Sequence, residues 1–373
     1  MRPSFWAIPT PERAPLWRLP HADADDRAAC RAAIRTGSRS FFAASALLPG
    51  RVRRPAYGLY AFCRLSDDAV DGVAPGARGA AVARLAARLS RAYEGRPADA
   101  PADRALADLV VAHAIPRALP MALIEGLAWD AEGRRYATLS DLTAYAARVA
   151  ASVGATMTLI MGARDPAVLA RACDLGVAMQ FTNIARDVGE DARAGRLYLP
   201  LDWLREAGID PDAFLADPRP SPALAGVVAR LLSVADDLYI RAEAGLSGLP
   251  RGCRPAIRAA RLIYAEIGRE LERQGLDPVS TRARVEGRRK ATLLARAAFT
   301  PAWTDPAHRD APPLAEVTFL VAAVTAQPVA TGPAWWDVPG RMAWVLDLVE
   351  TLREREAFAG PGLACGETAR IGP

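Results

Sequence analysis

The chain has 373 residues, of which 51% are hydrophobic, so it can bury a sizeable core in one large domain or in a domain with a tail. Its net charge of +5 comes from dispersed arginines, and this weak excess does not indicate a protein that binds nucleic acid. The five cysteines are scattered without a CxxC pair, which argues against a disulfide framework or a zinc site and favours a reducing cytoplasm.

Apolar residues recur every three or four positions, a spacing that predicts α-helices, and no continuous apolar run is long enough to span a membrane. We predict an all-α protein with an N-terminal extension over 1–22, a helical domain over 23–300 and a tail over 301–373 that holds one or two short helices. The predicted helices cover about 24–36, 40–48, 54–71, 76–94, 102–115, 118–132, 140–161, 166–189, 221–247, 251–274 and 288–298, with tail helices near 314–326 and 339–356.

The first informative motif lies at the end of the helix predicted over 54–71. At roughly 100° per residue, Tyr60, Arg64, Asp67 and Asp71 fall within about 60° of one another and form one polar stripe on an otherwise apolar helix. The pair Asp67 and Asp71 therefore places two carboxylates on one helix face.

A second stripe of the same kind belongs to the helix predicted from residue 166 onward, where Gln180, Asn183, Asp187 and Asp191 fall within about 80°. Carboxylates on an apolar helix need a counter-charge, because burying them unpaired is costly. Magnesium is commonly shared between one or two carboxylates and substrate phosphates, so two facing acidic pairs predict a metal–diphosphate site. A solvated helix face would explain either pair by itself, but it explains the twin arrangement less well.

These motifs resemble those of the trans-isoprenoid head-to-head synthases, the family of squalene, dehydrosqualene and phytoene synthases. The segment Asp67-Asp-Ala-Val-Asp71 resembles the family's first aspartate-rich motif, and Asn183-Ile-Ala-Arg-Asp-Val-Gly-Glu-Asp191 resembles the second. The continuation Gly195-Arg-Leu-Tyr-Leu-Pro200 is similar to the form usual in phytoene synthases. The resemblance covers about residues 25–298 and implies an isoprenoid-synthase helical bundle around a central cavity, with 23–300 as the catalytic domain.

The reaction that the resemblance implies is the head-to-head condensation of two geranylgeranyl diphosphates, through prephytoene diphosphate, to phytoene in carotenoid biosynthesis, with release of diphosphate. The implied cofactor is Mg²⁺, with Mn²⁺ as a substitute. NADPH is not expected, because hydride delivery belongs to the squalene-forming reaction.

The resemblance also implies roles for individual residues. The expected metal ligands are Asp67, Asp71, Asn183, Asp187 and Asp191, and the four aspartates form the expected catalytic set together with Arg64 and Tyr145. Substrate contacts are implied for Ser38, Phe41, Arg64, Gln180, Asn183, Tyr198, Tyr264 and Arg284. Phe41, Tyr145 and Tyr264 are expected to line the substrate cavity, although core packing would explain each of them as well. From the sequence alone, Tyr136 beside Arg134 and Arg135 is a candidate for the cavity entrance, although solvated arginines are the favoured account of this segment.

Three alternatives stay open. The first is a squalene-, dehydrosqualene- or hydroxysqualene-forming synthase that uses farnesyl diphosphate, and the second is a non-catalytic helical assembly factor of the same fold. The third is a class I terpene cyclase, whose second motif usually mixes Asn, Ser and Glu instead of the Asp187 and Asp191 pair. Trp335, Trp336 and the amphipathic stretch 342–352 either pack on the domain or contact a membrane surface or a partner. We expect a cytoplasmic protein, with peripheral contact at the inner face of the membrane and association with other carotenoid enzymes left open.

Overall fold

The computed structural model describes residues 20–300, 305–327 and 342, and every regular element within them is helical, which confirms the all-α prediction. The chain divides after Gln327 into a compact unit, Met1–Gln327, and a second unit, Pro328–Pro373. The boundary predicted at 300 does not coincide with this division, because residues 305–327 belong to the compact unit. Trp335, Trp336 and, apart from Met342, the stretch 342–352 lie outside the described residues.

Within the described residues, nine α-helices lead up to and include the second acidic motif, and seven more follow it, two of which have 20 or more residues. Their bounds are α1 (Ala24–Gly37), α2 (Arg39–Ser45), α3 (Gly50–Asp71), α4 (Arg78–Tyr93), α5 (Pro101–Ala112), α6 (Ala118–Ala131), α7 (Leu139–Ala146), α8 (Ser152–Ile160), α9 (Pro166–Arg193), α10 (Leu201–Glu206), α11 (Pro211–Ala216), α12 (Pro222–Gly245), α13 (Arg254–Arg273), α14 (Gly287–Phe299), α15 (Pro306–Arg309) and α16 (Thr318–Thr325).

Helix α9 is the centre of the fold, and it packs against α8, α12 and α13. Its start is fixed by Asp165, whose carboxylate accepts the backbone N–H groups of Ala167 at 2.8 Å and Val168 at 3.1 Å, and by Pro166 in the first turn. Among the described residues, no helix combines the length and apolar character that crossing a bilayer requires.

The single helix predicted over 140–161 is divided in the structure by a π-helical turn, Ala147–Ala151, between α7 and α8. This turn lies directly on α9, where a Cβ atom on Gly176 would be only 2.6 Å from the Cα atom of Ala151. Helices α10 and α11 were not predicted, because six residues are too few to show a helical period.

Candidate active site

The first acidic motif lies at the last turn of α3. Arg64 forms an ion pair with Asp68 at 2.7 Å and a longer one with Asp67 at 3.5 Å, and all three side chains are about half exposed. Burial and the neighbouring charge of Asp71 raise the pKa of Asp67 above its ordinary value. Arg64 is therefore next to the predicted ligand Asp67, but its shorter ion pair is with Asp68.

In the second motif, at the end of α9, the pKa values of the two carboxylates are shifted in opposite directions. Burial alone would raise the pKa of Asp187, but hydrogen bonds from Arg186 and Arg282 outweigh it and lower that pKa below its ordinary value. Arg282 donates from Nε at 2.8 Å and from Nη2 at 3.1 Å. For Asp191, burial and the charge of Asp187 raise the pKa to about 7, and no side chain within the described ranges donates a hydrogen bond to its carboxylate.

Gly189, between these two aspartates, allows the loop after α13 to approach α9. A Cβ atom on Gly189 would lie 2.6 Å from the Cα atom of Val279, and the Gly189 N–H donates to the carbonyl of Pro278 at 3.2 Å. The same loop carries Arg282. The glycine in the acidic motif thus permits the backbone contact that brings a basic side chain to Asp187.

Arg196 connects the two motifs. Its backbone N–H donates to the carbonyl of Asp191 at 2.8 Å, and its guanidinium forms an ion pair with Asp71 at the end of α3. The charge of Arg196 also acts to lower the pKa values of Asp67 and Asp191. The ends of α3 and α9 therefore lie together, with one arginine between their carboxylates.

A third carboxylate at this end of the bundle, Asp130 on α6, was not anticipated from the sequence. The hydroxyls of Tyr145 and Tyr198 both donate to it at 2.8 Å. Burial raises the pKa of Asp130 to about 6, although both tyrosine hydrogen bonds act to lower it. A single aspartate at the end of a helix gave no sequence signal, because its two partners come from other elements.

Three tyrosines form an aromatic cluster beside Asp130. The ring of Tyr198 stacks on those of Tyr136 and Tyr145, with centroids 6.2 Å and 5.2 Å apart, and the rings of Tyr136 and Tyr145 are tilted with centroids 5.1 Å apart. Tyr136 is fully buried, with 0% of its surface exposed, so its expected position at the entrance is wrong. Tyr145 is 4% exposed and does not line the cavity, because its ring packs in this cluster and its hydroxyl donates to Asp130.

An apolar cavity of about 330 Å³ opens beside the acidic motifs. Gln180 and Asn183 on α9 line it at the end nearest Asp187, and Tyr60 on α3 lines it from the other side. Phe41 and Tyr264 are also in the lining, with ring centroids 5.0 Å apart. A chamber with mostly apolar walls and a polar, acidic end suits an amphiphilic substrate.

Ser38 and Arg284, the remaining predicted contacts, differ in their surroundings. Ser38 caps α2, where its hydroxyl accepts the backbone N–H of Phe41 at 3.3 Å. Arg284 is exposed, and no side chain of the described residues pairs with it. In this segment the structure brings Arg282, rather than Arg284, to the second acidic motif.

The donor set at this site fits a hard divalent cation that is shared with a substrate. Within 20–300 and 305–327, no three acidic, cysteine or histidine side chains converge on a ready-made metal centre. The carboxylates instead come in separate pairs, and burial together with neighbouring acidic charge raises the pKa values of Asp67 and Asp191. Magnesium usually takes only one or two carboxylates and completes its shell with water and phosphate oxygens.

An all-α bundle in which two acidic helix ends meet at the mouth of an apolar cavity defines an isoprenoid synthase. The comparison with known families agrees, since the family model described as squalene/phytoene synthase matches residues 34–290. The chain belongs to this family. Members of the family generally depend on a divalent metal.

Individual relatives cover most of the chain. It is 58% identical to a phytoene synthase of Rhodobacter capsulatus over 276 residues, which are 74% of this chain and 81% of that protein. It is 55% identical to a phytoene synthase of Cereibacter sphaeroides over 316 residues, which are 81% of this chain and 89% of that protein. A crystal structure of a dehydrosqualene synthase in complex with ligand is similar at a TM-score of 0.66 and 31% identity, over 74% of this chain and 95% of that one.

Proposed function

We propose that the protein is a prenyltransferase that condenses two geranylgeranyl diphosphates head to head, through prephytoene diphosphate, to phytoene and diphosphate. The observation that carries this proposal is the pairing of two acidic helix ends, connected by Arg196, at the polar end of an apolar cavity. The phytoene synthases that are 55% to 58% identical favour the geranylgeranyl substrate.

The proposed metal is Mg²⁺, with Mn²⁺ as a substitute, held by Asp67 and Asp71 on α3 and by Asn183, Asp187 and Asp191 on α9. Bound divalent cations would withdraw charge from the departing diphosphate. The arginines near these carboxylates would hold phosphate oxygens, because guanidinium groups bind them bidentately. Asp187 is engaged by two arginines, so ligand binding would require at least one of those ion pairs to be exchanged.

The cavity walls would shield the reacting prenyl chains from water. The faces of Phe41 and Tyr264 can stabilise a nearby allylic cation through their negative quadrupole. The hydroxyls of Tyr145 and Tyr198 donate hydrogen bonds to Asp130. These two tyrosines would therefore position the Asp130 carboxylate near Arg196 and Asp71 without contacting the substrate. Released diphosphate would accept the final proton.

The alternative substrate is farnesyl diphosphate, and the similarity to a dehydrosqualene synthase is the observation that favours it. Incubation with geranylgeranyl or farnesyl diphosphate, each with Mg²⁺ and with or without NADPH, followed by mass analysis of the hydrocarbon, separates the two. Phytoene from the first substrate supports the proposal, and a squalene-type product from farnesyl diphosphate alone would refute it.

A matched pair of variants tests the metal site. Asp67→Asn should lower turnover at least a hundredfold, whereas Asp68→Asn, on a neighbouring exposed position that pairs with Arg64, should lower it less than tenfold. Equal losses in both variants would contradict the assignment of Asp67, and helical content measured by circular dichroism shows that both proteins fold. An inactive wild type would instead favour the non-catalytic assembly factor.

We propose a cytoplasmic location with peripheral contact at the inner face of the membrane, where other carotenoid enzymes would receive the water-insoluble product. Residues 305–327 belong to the compact unit, so the deletion that tests a tail anchor should start after Gln327. Flotation with anionic liposomes should be lost in the shortened chain, and equal flotation of both proteins would reject the anchor.

A further inference from the structure

One face of α9 forms a wall of the cavity over most of its length. The lining residues of this helix start at Val168 and end at Asn183, and they pass through Arg171, Leu175 and Met179 at helical spacing. At about 1.5 Å per residue, this wall is roughly 22 Å long. The cavity is therefore elongated along α9.

The two ends of this wall differ in chemistry. Gln180 and Asn183 mark the polar end, one turn from Asp187. Helix α8 runs antiparallel to α9, because a Cβ atom on Gly154 would lie 2.7 Å from the carbonyl oxygen of Ala172 while Gly176 faces the preceding turn at Ala151. The end of α8, with Thr158 and Met161, thus lines the apolar end beside Val168, away from the acidic motifs.

Arg171 is an unusual residue to find at the apolar end of this wall. Its side chain is 1% exposed, and its Nε atom forms an ion pair with Asp174 at 2.8 Å. Its Nη1 atom donates to the carbonyls of His308 and, at 3.0 Å, Ala311, and Nη2 donates to the carbonyl of Pro312 at 3.3 Å. The guanidinium is thus fixed by the segment around α15.

The alkyl stem of Arg171 is packed as tightly as its charged end. A Cβ atom on Gly245 would overlap the Cβ atom of Arg171, so α12 approaches α9 at this point as closely as a glycine permits. A stem held by packing on one side and by ion pairing and carbonyls on the other cannot swing aside without breaking several contacts. It is a rigid element of the cavity wall.

From these contacts we infer that the stem of Arg171, together with Val168 one turn earlier on α9, forms the stop that limits the length of the prenyl chain in this cavity. The inference rests on the proposed function. Arg171 lies roughly 18 Å along α9 from Asn183 at 1.5 Å per residue. An extended geranylgeranyl chain is about 19 Å long and a farnesyl chain about 14 Å at ordinary carbon–carbon bond lengths, so the stop matches the longer of the two.

The test compares geranylgeranyl diphosphate with geranylfarnesyl diphosphate, which is one isoprene unit longer. Arg171→Ala removes the six non-hydrogen atoms beyond Cβ, one more than the five carbons of an isoprene unit, and so opens space for about one further unit. The ratio of kcat/KM for the longer substrate to kcat/KM for the shorter one should rise at least tenfold in this variant. Product masses identify the hydrocarbon formed from each substrate.

Arg241→Ala is the matched control, because Arg241 donates to Asp174 and to the carbonyl of Pro312 at 3.0 Å each but does not line the cavity. Its substrate ratio should stay within twofold of the wild type. A ratio that rises equally in both variants would overturn the inference, since loosening of the ion pair would then be the cause. Val168→Ala trims the second residue of the stop without removing a charge, and it should raise the ratio about threefold even where Arg171→Ala does not fold.

The outcomes for the inference and for the proposed function are distinct. A wild type that makes no phytoene refutes the proposed function. A wild type that makes phytoene, together with an unchanged substrate ratio in folded Arg171→Ala and Val168→Ala, overturns the stop at Arg171 alone.

Discussion

The two carboxylates of the second acidic motif should respond to neutralisation with opposite changes in stability. Asp191 has a pKa of about 7 in the folded protein and an ordinary value of 3.8, because burial and Asp187 disfavour its charged form. Its folded pKa is raised, so the unfolded chain loses this proton first as the pH increases, and the folded state is penalised above pH 4. The penalty is complete above pH 7 and amounts to about 4 kcal/mol at 1.36 kcal/mol per pH unit.

Asp191→Asn removes this penalty. In the presence of a chelator, the variant should be more stable than the wild type by up to about 4 kcal/mol at pH 8, and by only about 1.6 kcal/mol at pH 5, where the folded wild type still carries the proton. Asp187→Asn should instead destabilise the protein at pH 8. Its folded pKa is lowered, and losing the charge leaves Arg186 and Arg282 without their carboxylate, at a cost of about 1–3 kcal/mol.

Urea unfolding followed by circular dichroism at both pH values measures these differences. Both variants should lose turnover, since each aspartate is a proposed metal ligand. A destabilised Asp191→Asn protein at pH 8, or a shift of the same sign in both variants, would show that the electrostatic account of the motif is incorrect. Added Mg²⁺ and inorganic diphosphate should stabilise the wild type more than either variant.

Three further predictions concern Tyr198, Arg282 and Gly176. Tyr198→Phe deletes a 2.8 Å hydrogen bond to Asp130 and should destabilise the protein by about 1–3 kcal/mol at pH 8 and by less at pH 5, below the pKa of about 6, in the same unfolding assay. Arg282→Gln should weaken Mg²⁺-dependent binding of inorganic diphosphate at least fivefold by calorimetry, and the matched change Arg284→Gln less than twofold. Gly176→Ala should cost about 1–3 kcal/mol of unfolding free energy, and a neutral result would contradict the close approach of α9 to the π-helical turn.

The sequence predicted the long helices well, because each carries several turns of apolar spacing. The acidic helix α9 is the clearest case, with Asp165 and Pro166 marking its start within one residue. The short helices α10 and α11 and the π-helical turn inside 140–161 were missed. They depend on contacts with distant elements, such as the glycine-to-backbone approach at Gly176, and local spacing does not encode them.

The candidate site was predicted in part. Helical spacing placed Asp67 with Asp71 and Asp187 with Asp191, because one helix face is a local property. Partners across elements were not accessible in the same way. Asp130 was missed, and the basic loop was expected to act through Arg284 although the structure brings Arg282 to Asp187. Two arginines separated by one residue cannot be distinguished until the loop is placed on the helix.

Tyr145 and Tyr136 show the limit of assigning aromatic residues from resemblance or sequence position. Their rings pack together in the core beside Asp130, whereas the aromatic side chains in the cavity lining are those of Phe41, Tyr60 and Tyr264. The sequence alone could not show whether Tyr136 packs in the core or borders the entrance. Its complete burial places it in the core.

The close contact at Gly189 has a consequence for the evolution and engineering of this site. Any larger residue there would push the Pro278–Val279 backbone away from α9 and carry Arg282 with it. The acidic turn and the basic loop therefore depend on each other, although Asp187 and Arg282 are 95 residues apart in the sequence. If α9 were transferred to another protein without the loop that carries Arg282, its Asp187 would lack one of the two arginines that lower its pKa.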